Sequence, residues 1–265
     1  NLHTLFNPKG IAVVGASTHP GKFGFVALHN IIAAGFEGKI FATNPKMPEI
    51  LGIQTLKSVD LIPKDSIDVA MICLGPKQTI AVLPELAEKG VKAGFVVSGG
   101  FRESDAEGVE LEDELVYVAN SLGITIAGPN GQGFVSTPAN LCSQIVSPYP
   151  PMGNISIASQ SGNILSAMLN LSRAKNIGIA RAISIGNQAQ LGIADYIRYF
   201  GRDSETKVVV AYVEGLPNGR DFYNSLKEVS NGKPVIVVRG GTTSDGAKAA
   251  SSHTGSLASD QKIFE

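Results

Sequence analysis

Tryptophan is absent from the 265 residues, and aromatic side chains make up only 6% of them. Cysteine occurs twice, at Cys73 and Cys142, too few for a disulfide framework or a thiolate metal cluster. Cys73 lies within an apolar run and reads as core. No apolar stretch reaches the roughly 18 residues of a membrane span, and no secretory signal opens the chain, so a cytoplasmic place is expected. Excess charge is missing too. The 22 Lys and Arg against 23 Asp and Glu leave a net charge of -1, which gives nucleic acid or an anionic membrane no electrostatic hold as a partner. No Asp, Glu and His cluster with metal-ligand spacing is visible, no G-x-S-x-G element occurs, and no repeat of about 20–50 residues points to a solenoid. What is abundant is glycine, with 30 residues, alongside 14 prolines, 43% hydrophobic and 17% charged residues. That composition describes a globular protein with many tight strand-to-helix turns, long enough for two α/β domains with their own cores.

The first half alternates strands and helices. Gly10 to Gly15 is a short apolar strand ending in glycine, as buried parallel strands do. A turn containing Ser17, Gly21, Lys22 and Gly24 follows, and then an amphipathic run from Phe25 to Ala34. Strand, glycine-rich turn and helix form a phosphate-binding arrangement, because free amides and the positive helix end face the turn. The Gly15, Gly21, Gly24 spacing is not that of G-x-G-x-x-G, and a purely structural tight turn reads the same. The strand Lys39 to Thr43 ends in Asn44-Pro45-Lys46, where an NAD enzyme would usually present an acid to the ribose. Lys46 suits an additional ribose phosphate instead, as in coenzyme A or NADP, or is a solvated surface lysine. Strands are predicted over 68–74, 93–97 and 124–127, with helices over 78–89 and 107–122. The turns at Ser98-Gly99-Gly100 and Pro129-Asn130 fall at the carboxyl ends of such strands, where parallel sheets bind ligands.

The clearest break is Ser147 to Gly153, with three prolines that cannot continue a helix or a central strand. It divides the chain into expected domains 1–147 and 148–265. Beyond it a second array is predicted, with strands over 154–158, 180–187, 206–213 and 234–239 and helices over 164–175 and 193–200. Ser159-Gln160-Ser161-Gly162 is the turn before the first of these helices. Ser159 and Ser161 can cap it, and Gly162 lets an anion approach its amides; an ordinary capped helix reads the same locally. The strand ending at Val213 is expected to be buried on both faces. It delivers Glu214, a carboxylate that costs solvation energy there unless paired, or else a solvent-facing loop glutamate.

Only four histidines exist, and His253 sits among small residues in Ser251-Ser252-His253-Thr254-Gly255. If it met Glu214 and the Ser159–Gly162 turn at one end of the second sheet, three roles would follow. A neutral imidazole nitrogen can take and release a phosphoryl group. Glu214 would accept a hydrogen bond from the other ring nitrogen. The helix start would hold the phosphoryl oxygens.

FNPKGIAVVGAS, GKFG, NPK, VSGGF, AGPNGQGF, IASQSGN, SIGNQA, YVEG and KAASSHTGSLA occur in this order. In them the chain resembles, nearly end to end, the NDP-forming acyl-CoA synthetases, relatives of the succinyl-CoA synthetase α subunit. The resemblance implies an α/β architecture: an N-terminal Rossmann-like CoA-binding domain followed by a flavodoxin-like parallel-sheet domain. It implies phosphorylation at His253, orientation by Glu214 and phosphate binding by Ser159, Gln160, Ser161 and Gly162. Coenzyme A would lie near Gly15, Ser17, Gly21, Lys22, Gly24, Asn44, Lys46, Ser98 and Asn130. The implied overall reaction is acid + CoA + ATP ⇌ acyl-CoA + ADP + phosphate, on a small carboxylic acid. Nucleotide and Mg²⁺ would be held mainly by an ATP-grasp domain or subunit, of which these residues show no trace; the chain is then expected to be part of something longer, or of an oligomer. Asn163 stands where many relatives carry a smaller residue, which bears on substrate choice. Two other readings are a CoA- or nucleotide-sensing module without catalysis, and an NADP oxidoreductase. The histidine in its setting with Glu214 speaks against the first; the glycine spacing and an idle second site speak against the second.

Overall fold

The computed structural model describes residues 1–145 and 149–241. His253 and the expected division at 147/148 lie outside the described residues. A short helix α1 (Leu2–Phe6) leads into strand β1 (Gly10–Val14), which is buried at every position. Helix α2 (Phe23–Ala33) and strand β2 (Lys39–Thr43) follow, then a small hairpin of β3 (Glu49–Ile50) and β4 (Ile53–Leu56). Strand β5 (Val69–Ile72), α3 (Pro76–Glu88), β6 (Ala93–Val96), α4 (Ala106–Leu122) and β7 (Thr125–Ala127) complete the first array. The sheet order is β3-β4-β2-β1-β5-β6-β7, parallel throughout except for β3 against β4. Without the hairpin strand β3, this is the Rossmann order, which reverses between β1 and β5.

Side-chain alternation explains the layering. Ile11, Val13, Val69 and Met71 face α2 and the second sheet, whereas Ala12, Val14, Ala70 and Ile72 face α3 and α4. Both faces are covered, so these strands carry unbroken apolar runs. Each Ile, Val or Leu so buried contributes about 1.5–3 kcal/mol relative to exposure.

The second sheet contains β8 (Gly133–Ser136), β9 (Leu141–Gln144), β10 (Met152–Ser159), β11 (Ile179–Ser184), β12 (Val208–Val213) and β13 (Val235–Arg239). Its order is β13-β12-β10-β11-β8-β9, with the last four strands in sequence parallel and the β8–β9 hairpin antiparallel on the β11 edge. The parallel part has the flavodoxin-like order, with its reversal between β10 and β12. Helix α5 (Gly162–Lys175) covers one face, and α6 (Ile193–Arg202) with α7 (Gly219–Ser230) the other.

Besides α1 and the β3–β4 hairpin, which the sequence did not announce, three features differ from expectation. β8 and β9 precede the proline-rich break yet belong to the second sheet, because β8 pairs antiparallel with β11, Gly133 to Ser136 against Ser184 to Arg181, and carries β9 with it. β12 is buried on one face only: Val209, Ala211 and Val213 are covered, while Val208, Val210 and Tyr212 are half-buried. The reason is that α5 packs over β10 and β11 and leaves that face of β12, next to the edge strand β13, partly open. Finally α7 was not foreseen; Asn218 starts it by accepting the Asp221 N–H at 3.0 Å.

The two sheets share a core. The Phe6 and Phe95 rings lie 5.9 and 5.8 Å from that of Phe134. Arg181, 2% exposed, donates from Nη1 to Phe6 O at 3.2 Å and to Ser136 Oγ, and from Nε to Asp203 Oδ2 at 3.3 Å. Among the described residues no helix is long and apolar enough to cross a membrane.

Candidate functional site

At the second sheet's reversal, the loop leaving β10 meets the loop leaving β12. Ser159 is fully buried and donates its hydroxyl to Ser161 O at 2.7 Å, so it shapes the turn. Ser161 alone is the N-cap of α5: its Oγ accepts the Ile164 N–H at 3.3 Å. The next amides, of Gly162 and Asn163, have no intrahelical partner and face the helix start, where an anion is favoured.

The Gln160 amide is engaged by backbone. Its Oε1 accepts the N–H groups of Glu214 at 2.5 Å and Gly215 at 3.0 Å, and its Nε2 donates to Gly215 O at 2.7 Å. Its own N–H donates to Tyr212 O at 3.1 Å. The glutamine therefore fastens the Glu214 loop to the start of α5.

A cavity of about 360 Å³ opens here, between the two sheets. Gln160, Ser161, Gly162, Asn163 and Glu214 line it from the second sheet, and Val97, Gly99 and Asn130 from the first. Among the described lining residues Glu214 is the one with an ionisable side chain. Burial, then the Glu214 charge and a hydrogen bond to Glu214, push the Tyr212 phenol above its ordinary range.

Gln132 is a lining residue that nothing in the sequence singled out, although it lies in the GPNGQGF stretch. Its Nε2 donates to Asn163 Oδ1 at 3.2 Å and its Oε1 accepts from Ser166 Oγ at 2.8 Å. It lies across Gly162, where a Cβ would collide with it. Asn187, likewise not foreseen, donates to Glu112 Oε2 at 2.8 Å and to Glu103 Oε2, and its Oδ1 accepts from Asn130 Nδ2 at 3.3 Å. Glu103 Oε1 in turn accepts the Gly100 N–H at 2.6 Å, so the Ser98–Gly100 turn is tied to the second sheet.

The first sheet's reversal holds most of the other predicted residues. Gly15 leaves β1 with φ +85 and donates its N–H to Thr43 Oγ1 at 3.2 Å. Ser17 Oγ accepts the His19 N–H at 3.0 Å, and the Gly21 N–H meets His19 Nδ1 at 3.0 Å. Gly24 packs α2 against β1 so closely that a Cβ would enter Gly15 O. Asn44 donates to Ala16 O at 2.8 Å and accepts the Lys46 and Met47 N–H groups at 2.9 Å, which sets the turn. Lys22 and Lys46 are exposed beside this crevice. Asn130, in contrast, lines the cavity between the sheets, and Ser98 lies next to its lining residues Val97 and Gly99. Among the described residues no group of three His, Cys, Asp or Glu side chains is placed to hold a metal.

Comparison with known proteins finds two family matches along the chain. Residues 9–137 match the family described as CoA binding domain, and residues 152–265 that described as succinyl-CoA ligase like flavodoxin domain. The chain is 41% identical over its whole length to the acetate–CoA ligase (ADP-forming) I subunit alpha of Pyrococcus furiosus, of which it spans 58%. It is 42% identical to the acetate–CoA ligase (ADP-forming) of Methanocaldococcus jannaschii, spanning 37% of that protein. Acetyl-coenzyme A synthetase 1 of Candidatus Korarchaeum cryptofilum, solved with phosphate and ADP, superimposes on all of this chain with a TM-score of 0.92 at 38% identity, and 57% of that chain is covered. The chain thus spans between 37% and 58% of these relatives, and it belongs to the NDP-forming acyl-CoA synthetase family, of which it carries the CoA-binding and ligase-type domains.

Proposed function

We propose that this chain is the CoA-binding, phosphohistidine-carrying part of an acyl-CoA synthetase that works with an ATP-grasp domain or subunit. The observation that carries this reading is the meeting of Glu214 and the start of α5 at the reversal of a flavodoxin-like sheet, beside a cavity shared with the first sheet. Edge strand β13 ends at Arg239 next to Val213, and His253 follows Gly241 twelve residues later in sequence.

The roles follow from the chemistry of the groups. An ionised Glu214 accepts an N–H from the His253 ring, which fixes the tautomer and stabilises the positive charge that develops when the other nitrogen carries phosphate. The Gly162 and Asn163 amides, at the positive end of α5, take phosphoryl oxygens. Gln132 and Asn163, held to each other over Gly162, bound the space left for a small carboxylic acid.

In this reading coenzyme A lies at the reversal of the first sheet. Gly24 lets α2 start close against the end of β1, α2 starts there without a side-chain cap, and Lys22 and Lys46 offer positive charge beside it. Bound there, it would supply the thiol that receives the acyl group. Nucleotide and Mg²⁺ belong in this reading to the ATP-grasp partner.

The test is phosphorylation of the full enzyme, or of this chain with its ATP-grasp partner, by γ-labelled ATP and Mg²⁺. Acid-labile, base-stable label that is lost in His253→Ala and discharged by acid plus CoA is the expected result. An assembled enzyme that takes up no label would overturn the catalytic reading in favour of a CoA-sensing module.

A further inference from the structure

Gln160 fixes the backbone of Glu214 but does not touch its carboxylate. The carboxylate has its own support. Tyr212 and Glu214 are two residues apart at the end of β12, so both side chains leave the same side of the chain. Val238 of β13 is the cross-strand partner of Tyr212, and Gly240 lies two residues further on, its N–H donating to Val213 O at 2.8 Å. A Cβ on Gly240 would strike Tyr212 Oη and stand 3.3 Å from Glu214 Cγ. The phenol and the carboxylate arm therefore converge over the bare Cα of Gly240.

We propose that Tyr212 is a positioning residue for Glu214: its phenol donates to the carboxylate and holds it at the cavity wall, in a space that Gly240 keeps open. This rests on the role given to Glu214 above. A neutral donor on a carboxylate favours the ionised form, which is the form able to accept an imidazole N–H. Burial first, and then the charge and hydrogen bond of the neighbouring carboxylate, raise the phenol, so its proton stays available to donate. Among the described lining residues of the cavity no other side chain is ionisable. Arg239 is in register with Val213, whose side chain leaves the opposite face of β12 from Tyr212.

The test uses the full enzyme with its ATP-grasp partner, in wild-type, Tyr212→Phe and Gly240→Ala forms. Two readouts are taken: the rate of histidine labelling from γ-labelled ATP, and the titration of Glu214 followed by carbon-13 NMR on labelled glutamate. Loss of one hydrogen bond to a charged group is expected to slow labelling roughly 10- to 100-fold and to move the Glu214 titration to higher pH, while CoA affinity stays the same. Gly240→Ala, which displaces the phenol, should act in the same direction and add little on top of Tyr212→Phe. Wild-type labelling and titration in the Phe variant overturn the proposal. So does slowed labelling with an unmoved titration, since that is what a merely structural tyrosine would give. A wild-type enzyme that takes up no label instead overturns the phosphohistidine reading itself.

Discussion

Gln160 and Gly215 exchange two hydrogen bonds across the reversal of the second sheet, Nε2 to Gly215 O at 2.7 Å and Gly215 N–H to Oε1 at 3.0 Å. Both residues are buried. In Gln160→Ala the Gly215 N–H and C=O lose their partner away from water, and each such group costs about 1–3 kcal/mol. The variant is expected to be less stable by about 2–6 kcal/mol in urea unfolding. It should also label poorly even at temperatures where it is folded, because the Glu214 loop is no longer fastened to α5. Full labelling in a folded Gln160→Ala enzyme would show that the fastening is dispensable.

Gly24 offers a test confined to the first crevice. An added Cβ enters Gly15 O, so α2 must move away from β1. Overpacking of this kind costs about 1–3 kcal/mol. Gly24→Ala should weaken CoA binding more than tenfold by calorimetry while histidine labelling from ATP, a step at the other sheet, continues. Unchanged CoA affinity would place the cofactor elsewhere.

Buried charge supports the join between the sheets. Asp203 Oδ2 accepts from Arg181 Nε at 3.3 Å and from Thr206 Oγ1 at 2.8 Å, and the two charged side chains are 6% and 2% exposed. Asp203→Ala strands a buried guanidinium, at a cost of about 3–5 kcal/mol. For a chain of this size that is a fall of roughly 10 °C in the melting temperature. Replacing both partners, as in Arg181→Met with Asp203→Leu, should recover most of the loss.

The thiols give a pH-dependent test. Burial pushes Cys142 up to about 12, slightly offset by a backbone hydrogen bond at Gln144, and burial also pushes Cys73 up to about 12. An unfolded thiol titrates near 8.5. The folded state therefore holds these protons longer than the unfolded chain does. The stability linked to them is present below about pH 8.5 and is lost as pH rises from there toward 12. Native protein at pH 8 should resist alkylation. Cys142 should react only on unfolding, and Cys73, which is partly exposed, should react first. Rapid native alkylation of Cys142 would contradict its burial.

The parallel strands were legible because their apolar runs end in glycine or in small polar turns, and Lys39–Thr43 needed no adjustment at all. The hairpin β8–β9 was not legible. Phe134, Val135, Leu141 and Cys142 carry no signal that distinguishes one sheet from another, and the prolines after them looked like a linker. Membership was decided by contacts of high sequence separation, such as Ser136 with Arg181. Glu214 and the Ser159–Gly162 turn could be placed at strand ends from sequence, and the structure brings them together. That Gln160 serves the backbone of Glu214 could not be read, since a glutamine in a turn looks the same whether its amide faces a ligand or a neighbouring loop. Gln132 and Asn187 were missed for a related reason: their partners, Asn163 and Glu112, lie 31 and 75 residues away.

The placement of β8 and β9 also bears on how such chains exchange parts. A recombination joint at the proline-rich stretch would carry the hairpin away with the first sheet. The recipient would then have an uncovered β11 edge, and Arg181 without the Ser136 and Phe6 acceptors that it uses here. A joint between Ala127 and Gly133 keeps both sheets whole, yet still parts Phe95 from Phe134 and Glu112 from Asn187. Shuffling of the two sheets between family members is therefore expected to succeed only when both sides of that seam travel together, so that their order along the chain can vary more freely than their pairing.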